Sequence, residues 1–233
     1  MFYLRFPIVL DIEKNELVFI KDVNSGSDRN LVCFDCGERM IPIHKDGNVQ
    51  KPHFRHKIKD CNASYESYIH WLSKEVFEEF NSIKLPSIDF RFIYENYWIN
   101  NDEFKEAING LFEELNLSKN FRNLSNYNII LRESNYLCFD DFEKETTSKT
   151  NMGVIRTDLV LKAGKEKYFI EPFYTHNIED KALSIIESLN YSTISINLND
   201  FLGEMSFVYS KEQFIDFIKN DTLSKKWVYI NAK

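Results

Sequence analysis

VIRTDLVLKAGKEKYFIEPFYTHNIEDKALSIIESLNYSTISINL, residues 154–198, is the stretch that decides the fold. Two runs rich in β-branched and aromatic residues, VIRTDLVLK (154–162) and KYFIEPFY (167–174), flank the turn AGKE and predict an antiparallel hairpin. Residues 177–190 follow with helical spacing, Asn177 standing at the N-cap and Asp180 in the first turn. STISINL is a third strand, apolar at Ile194, Ile196 and Leu198. Strand, helix, strand at this spacing is a right-handed crossover, which predicts a mixed sheet. Period-two alternation sets Arg156, Asp158 and Val160 on one face of the first strand, and Phe169, Glu171 and Phe173 on one face of the second. The hairpin can therefore bring Asp158 beside Glu171. Neighbouring carboxylates repel unless a cation lies between them. Mg²⁺ suits such a pair, since it takes one or two carboxylates plus water and phosphate oxygens. The plain alternative is a solvated strand face.

Further toward the N-terminus lies a second concentration of chemistry. Cys33 and Cys36 form C-x-x-C, His53 and His56 form H-F-x-H, and Cys61 follows. Structural zinc takes four thiolate or imidazole donors, supplied as two close pairs. Five candidates for four places leave one spare, free to orient another ligand by a hydrogen bond. The site looks closed, hence structural. Residues 64–81 read as an amphipathic helix with Ser64 at the N-cap and Tyr65, Ile69, Leu72, Val76 and Phe80 on its apolar face. Glu66, His70 and Lys74, spaced by four, span an arc of about 80° beside that face. Residues spaced this way often only pair with one another at the surface.

Composition sets the outer bounds. The chain has 233 residues, with 43% hydrophobic and 28% charged, enough for a real core and a small satellite. Its net charge of −7 does not advertise nucleic-acid binding. Residues 39–59 run against that sign: Arg39, Lys45, Lys51, Arg55, Lys57 and Lys59 face Asp46 alone. No apolar run reaches the length of a membrane span, and MFYLRFPIVLDIEK is too interrupted for a signal peptide, so a cytoplasmic location is expected. In a reducing compartment, close cysteines are more often metal ligands or catalytic groups than disulfides.

Elsewhere, residues 3–23 predict a hairpin around EKN, 86–98 a strand, 102–116 a helix and 117–127 a loop. NIILRES and NYLCFDDFEKE predict strands, the second carrying Cys138 into the core. Ser210 and Gln213 form a capping box before KEQFIDFIK, and WVYIN closes the chain as an edge strand.

Taken in order, C-x-x-C at 33–36, PHFRH at 52–56, ESYIHWLSK at 66–74, RTDLVL at 156–161 and IEPFYTH at 170–176 resemble the competence protein CoiA-like family. Glu179-Asp180-Lys181 and the strand SINL are similar too. The resemblance covers nearly the whole chain except roughly 82–130, expected to be a family-specific insertion. It implies an α+β protein: a small zinc-ribbon-like module over residues 1–63, joined to a restriction-endonuclease-like (PD-(D/E)XK) domain over 64–233. That domain would be a four-stranded mixed sheet flanked by helices. The implied activity is metal-dependent hydrolysis of DNA. Asp158 matches the motif aspartate and Glu171 the second acid, both on Mg²⁺ or Mn²⁺, with Glu66 matching the helical carboxylate that some members add. The motif lysine is replaced by Phe173, and Pro172 removes a ladder donor beside it. Lys181 and Lys74 are the candidates for the missing ammonium, and His70 and His176 for proton transfer or phosphate contact. Two rivals stand beside this expectation. One is a catalytically inactive nucleic-acid-binding or adaptor protein that keeps the zinc module. The other is a module whose acidic remainder faces a protein partner or a second copy of the chain.

Overall fold

The computed structural model describes residues 6–44, 52–58, 64–93, 130–174, 178, 180–202 and 211–231, with the single positions 102, 106, 110 and 113. The chain groups into two compact units. The first comprises Met1–Phe80, Pro172–Asn177 and Asn197–Ile218; the second comprises Asn81–Glu171, Ile178–Ile196 and Lys219–Lys233.

In the first unit the expected hairpin forms from β1 (Ile8–Asp11) and β2 (Glu16–Phe19), in register from Ile8↔Phe19 to Asp11↔Glu16. Asp11 is buried at its end. Its Oδ1 accepts from the backbone N–H of Glu13 at 3.1 Å, and its Oδ2 from Arg29 Nε at 2.8 Å. Burial alone would push that carboxyl up, but these bonds and the guanidinium hold it below its ordinary value. β3 (Leu31–Val32) pairs with the other side of β1. β4 (Met40–Ile43) and β5 (His53–His56) make a separate ribbon, from Met40↔His56 to Ile43↔His53.

Helix α1 (Tyr65–Glu75) starts where Ser64 Oγ accepts from the backbone N–H of Ser67 at 2.9 Å, and a 3-10 turn, Val76–Glu79, extends it. Ile69, Leu72 and Val76 are buried as the spacing predicts. Tyr68 and Phe77 are buried with them, so the apolar stripe is wider than the i, i+4 reading alone implies.

In the second unit β6 (Ser82–Lys84) pairs with β9 (Tyr136–Cys138), and β7 (Ile88–Asp89) with β8 (Ile130–Arg132). The strand expected over 86–98 is cut short at Asp89. Its Oδ1 accepts from the Phe92 N–H at 2.7 Å and opens the helical turn α2 (Phe90–Ile93) instead. Residues 94–100 lie outside the described residues. Of the helix expected over 102–116, the described positions 102, 106, 110 and 113 are helical. Cys138 is exposed rather than in the core. Among the described residues its strand pairs in the β6–β9 ribbon alone, where alternation turns Leu137 inward and Tyr136 and Cys138 outward.

The centre of this unit is a five-stranded sheet ordered β10-β11-β12-β13-β14, one strand more than the four expected. The strands are β10 (Asp141–Thr150), β11 (Gly153–Ala163), β12 (Glu166–Phe173), β13 (Ser192–Asn197) and β14 (Lys225–Tyr229). β10 to β12 are antiparallel neighbours, and β13 is antiparallel to β14. The N–H just past the end of β13, that of Leu198, donates at 2.8 Å to the carbonyl of Phe173, the last residue of β12. The two strands therefore run parallel, and helix α3 (Asp180–Leu189) is the crossover between them. α3 lies against β10, β11 and β14. Its Ile186 joins Val160 and Phe169 in a core flanked by Ile178, Leu189, Tyr191 and Tyr229. The short α4 (Asn199–Leu202) and α5 (Lys211–Asn220) follow in the sequence, with Phe214 and Ile218 of α5 buried. Asn177 and Ser210, the expected caps, lie outside the described residues. The architecture is thus mixed α+β around a mixed sheet. Among the described residues, no helix is long and apolar enough to cross a membrane.

Candidate metal centre and carboxylate pair

Cys33 and Cys36 sit in a tight turn between β3 and β4. The Gly37 N–H donates to the Cys33 carbonyl at 3.0 Å, and the Cys33 N–H to the Glu38 carbonyl at 2.9 Å. Gly37 adopts φ +69°, a left-handed conformation that favours glycine, which is why C-x-x-C-G closes so sharply. β5 then brings His56 opposite Met40, next to the end of this turn. Cys36 Sγ lies 3.4 Å from His56 Nε2, and the ligand atoms of Cys33, Cys36 and His56 all fall within 4.8 Å of one another.

Those distances suit a metal ion. With metal–sulfur and metal–nitrogen bonds of about 2.3 and 2.05 Å at tetrahedral angles, sulfur and nitrogen ligands stand about 3.5 Å apart. Burial pushes the Cys33 thiol up, while the backbone N–H groups of Cys36 and Asp35 act in the opposite direction. The Cys33–Cys36–His56 group could hold a metal ion; it is the one such cluster among the described residues.

His53 does not join it. Three residues apart in an extended strand, His53 and His56 point to opposite faces and stand about 10 Å apart along the ribbon. His53 pairs across from Ile43, at the far end of the ladder. Cys61 lies outside the described residues.

An aromatic cluster supports the centre. Phe34, inside the C-x-x-C, stacks on Trp71 of α1 at 5.1 Å and meets Tyr68 at 5.6 Å. Phe6 packs edge-on against both Tyr68, at 5.2 Å, and the His56 ring, at 6.1 Å. The cysteine turn is thereby fastened to α1, and the imidazole is held in place. Sequence reasoning missed this role for Phe34, although a bulky aromatic between two ligand cysteines was the available signal.

The stripe Glu66, His70 and Lys74 lies on α1. Glu66 and His70 are half-buried, whereas Lys74 is only 7% exposed. Of the basic segment, Arg39, Arg55 and Lys57 are exposed, while Lys45, Lys51 and Lys59 lie outside the described residues.

Asp158 and Glu171 stand on adjacent strands. The β11–β12 ladder ends at Leu159↔Ile170, so the next step sets Asp158 across from Glu171. The Asp158 backbone N–H donates to Glu171 Oε1 at 3.4 Å. Both residues are half-buried. The pairs Lys144↔Leu159 and Thr146↔Thr157 set Glu145 across from Asp158 on its other side, in a backbone of φ 53°. Glu145 forms an ion pair with Arg156, the residue expected on the Asp158 face. Among the described residues, no third carboxylate, histidine or cysteine brings a ligand atom into a close group with Asp158 and Glu171. Pro172 is buried, Phe173 is half-buried, and Lys181 is exposed in the first turn of α3. His176 lies outside the described residues. No family model, curated protein or solved structure matches this chain.

Proposed function

We propose that the protein is a metal-dependent nuclease acting on DNA, braced by a structural zinc ion. The observation that carries this reading is the meeting of Asp158 and Glu171 across β11 and β12, within RTDLVL and IEPFYTH. A pair of carboxylates is enough protein for Mg²⁺ or Mn²⁺, which fills its remaining positions with water and substrate phosphate oxygens. An ion bound there would stabilise charge on a phosphate and acidify water. Asp158 and Glu171 would hold it, and the Lys181 ammonium would supply the positive charge that Phe173 cannot. Two thiolates and an imidazole favour zinc at Cys33, Cys36 and His56. With His53 on the opposite face, Cys61 is the thiolate the sequence leaves for the fourth place.

Phe173 favours a second reading, a nucleic-acid-binding or adaptor protein that does not cleave. One experiment separates the two. Linear and supercoiled DNA are incubated with Mg²⁺ or Mn²⁺ and the wild type, Asp158→Ala or Glu171→Ala. The nuclease reading expects cleavage by the wild type and a loss of about 100-fold or more in each variant. Equal cleavage by all three overturns the assignment of these carboxylates. Salt-dependent binding without cleavage by any of them supports the adaptor.

A further inference from the structure

The second unit contains a cleft of about 450 Å³ that neither the metal centre nor the carboxylate pair uses. Three cations line it: Arg132 at the end of β8, Lys165 in the β11–β12 turn, and Lys167 at the start of β12. One carboxylate, Glu166, lines it as well. The local charge is therefore opposite in sign to the net −7 of the chain. Arg132 and Lys165 form no ion pair with any described residue. Glu166 Oε2 already accepts from the Tyr168 hydroxyl at 2.7 Å. Burial, and then that same carboxylate, push the Tyr168 hydroxyl up to about 12, so it stays uncharged near neutrality.

The rest of the wall combines aromatic surface with amide donors. Lys167 Nζ stands 5.8 Å over the Tyr191 ring. Trp227 is fixed by its Nε1, which donates to the Pro86 carbonyl at 3.0 Å. Asn190 Oδ1 accepts from the Tyr229 hydroxyl at 2.7 Å. Asn190 Nδ2 then has no partner among the described residues. Guanidinium and ammonium groups gathered in this way favour a phosphate. A volume of about 450 Å³ falls in the range of small-ligand sites, large enough for a ring system as well.

We infer that this cleft binds a nucleoside 5′-phosphate, free or at the end of a nucleic-acid strand. The phosphate lies against Arg132 and Lys165, and the base against Trp227 and the Tyr191 ring, over which the Lys167 ammonium stands. The site is separate from the carboxylate pair. Glu166 and Glu171 are five residues apart on one extended strand, which is about 16 Å. The inference does not depend on cleavage, because binding is measured without added Mg²⁺ or Mn²⁺.

The test uses the full chain and four probes: deoxythymidine 5′-monophosphate, thymidine, and one short single-stranded DNA with and without a 5′-phosphate. Calorimetry is expected to show each phosphorylated probe that enters the cleft binding about tenfold or more tighter than its unphosphorylated counterpart. Lys165→Gln and Arg132→Gln should each remove about tenfold of that affinity, with the melting temperature of the protein unchanged. Binding of the mononucleotide supports a free ligand, and binding of the phosphorylated strand alone supports a strand end. The inference is overturned if the phosphate makes no difference, if neither phosphorylated probe binds, or if both variants bind like the wild type. Failure of this test leaves the cleavage assay untouched, and the reverse holds too.

Discussion

In β5, His56 lies opposite Met40 with its Nε2 3.4 Å from Cys36 Sγ, whereas His53 lies opposite Ile43 on the other face of the strand. Both imidazoles are buried, so exposure does not distinguish them; direction does. His56→Ala should therefore lose most of any metal that the centre holds and unfold at lower temperature, because binding energy at a structural site is folding energy. His53→Ala should keep close to the wild-type metal content. Metal analysis of the two purified variants decides the matter, and an equal loss in both would remove His56 from its special position. The donor types were legible in the sequence, since C-x-x-C and H-x-x-H announce themselves. Their selection was not, because His53 and His56 have identical chemistry and differ only in strand register. Phe34 makes the same point: its aromatic stack on Trp71 joins residues that no local pattern connects.

Among elements, those with strong periodicity were the most readable. The β11–β12 hairpin, the crossover helix α3, β13 and α1 lie where alternation or helical spacing puts them. β7 departed because one Asp89 side chain caps a helical turn, a local competition that outweighs the β-propensity of the segment. Cys138 departed because apolar alternation says nothing of whether a strand has a layer to pack against. The β10–β11 connection carries a prediction of its own. Gly153 opens β11 with φ +142°, a conformation side chains other than glycine rarely adopt, and a Cβ there would stand 3.2 Å from Ile185 Cδ1 of α3. Gly153→Ala should destabilise the protein by about 1–2 kcal/mol, measured by denaturant unfolding. Shortening the neighbour as well, in Gly153→Ala with Ile185→Val, should relieve the contact but not the backbone cost. A Gly153→Ala protein as stable as the wild type would refute the strain.

At the scale of the whole molecule, ionisation within the second unit links stability to pH. Lys225 is 2% exposed, its ammonium donating to the carbonyls of Lys84 at 3.1 Å and Lys219 at 3.2 Å. Burial, opposed in part by Asp221, lowers it to about 7 from an ordinary 10.5. Below pH 7 both folded and unfolded chains hold this proton, and the cost of burying the charge is present in full. Between about pH 7 and 10.5 the unfolded chain binds more protons, so this group makes stability rise with pH. Lys225→Met should flatten that rise. The difference in unfolding free energy between wild type and variant should move in favour of the wild type from pH 7 to pH 10, and parallel curves would refute the shift. Nothing in the linear pattern of KKWVYIN marks the first lysine as buried and the second as exposed. By itself the sequence determined the element types, the hairpin that sets Asp158 beside Glu171, and the supply of metal-binding donors, because these depend on local period and residue chemistry. Only the tertiary structure decided which donors converge, which lysine is desolvated and where three cations share a cleft. Those outcomes depend on register and packing between distant segments: Cys36 meets His56 across 20 positions, and Lys225 meets Lys84 across 141.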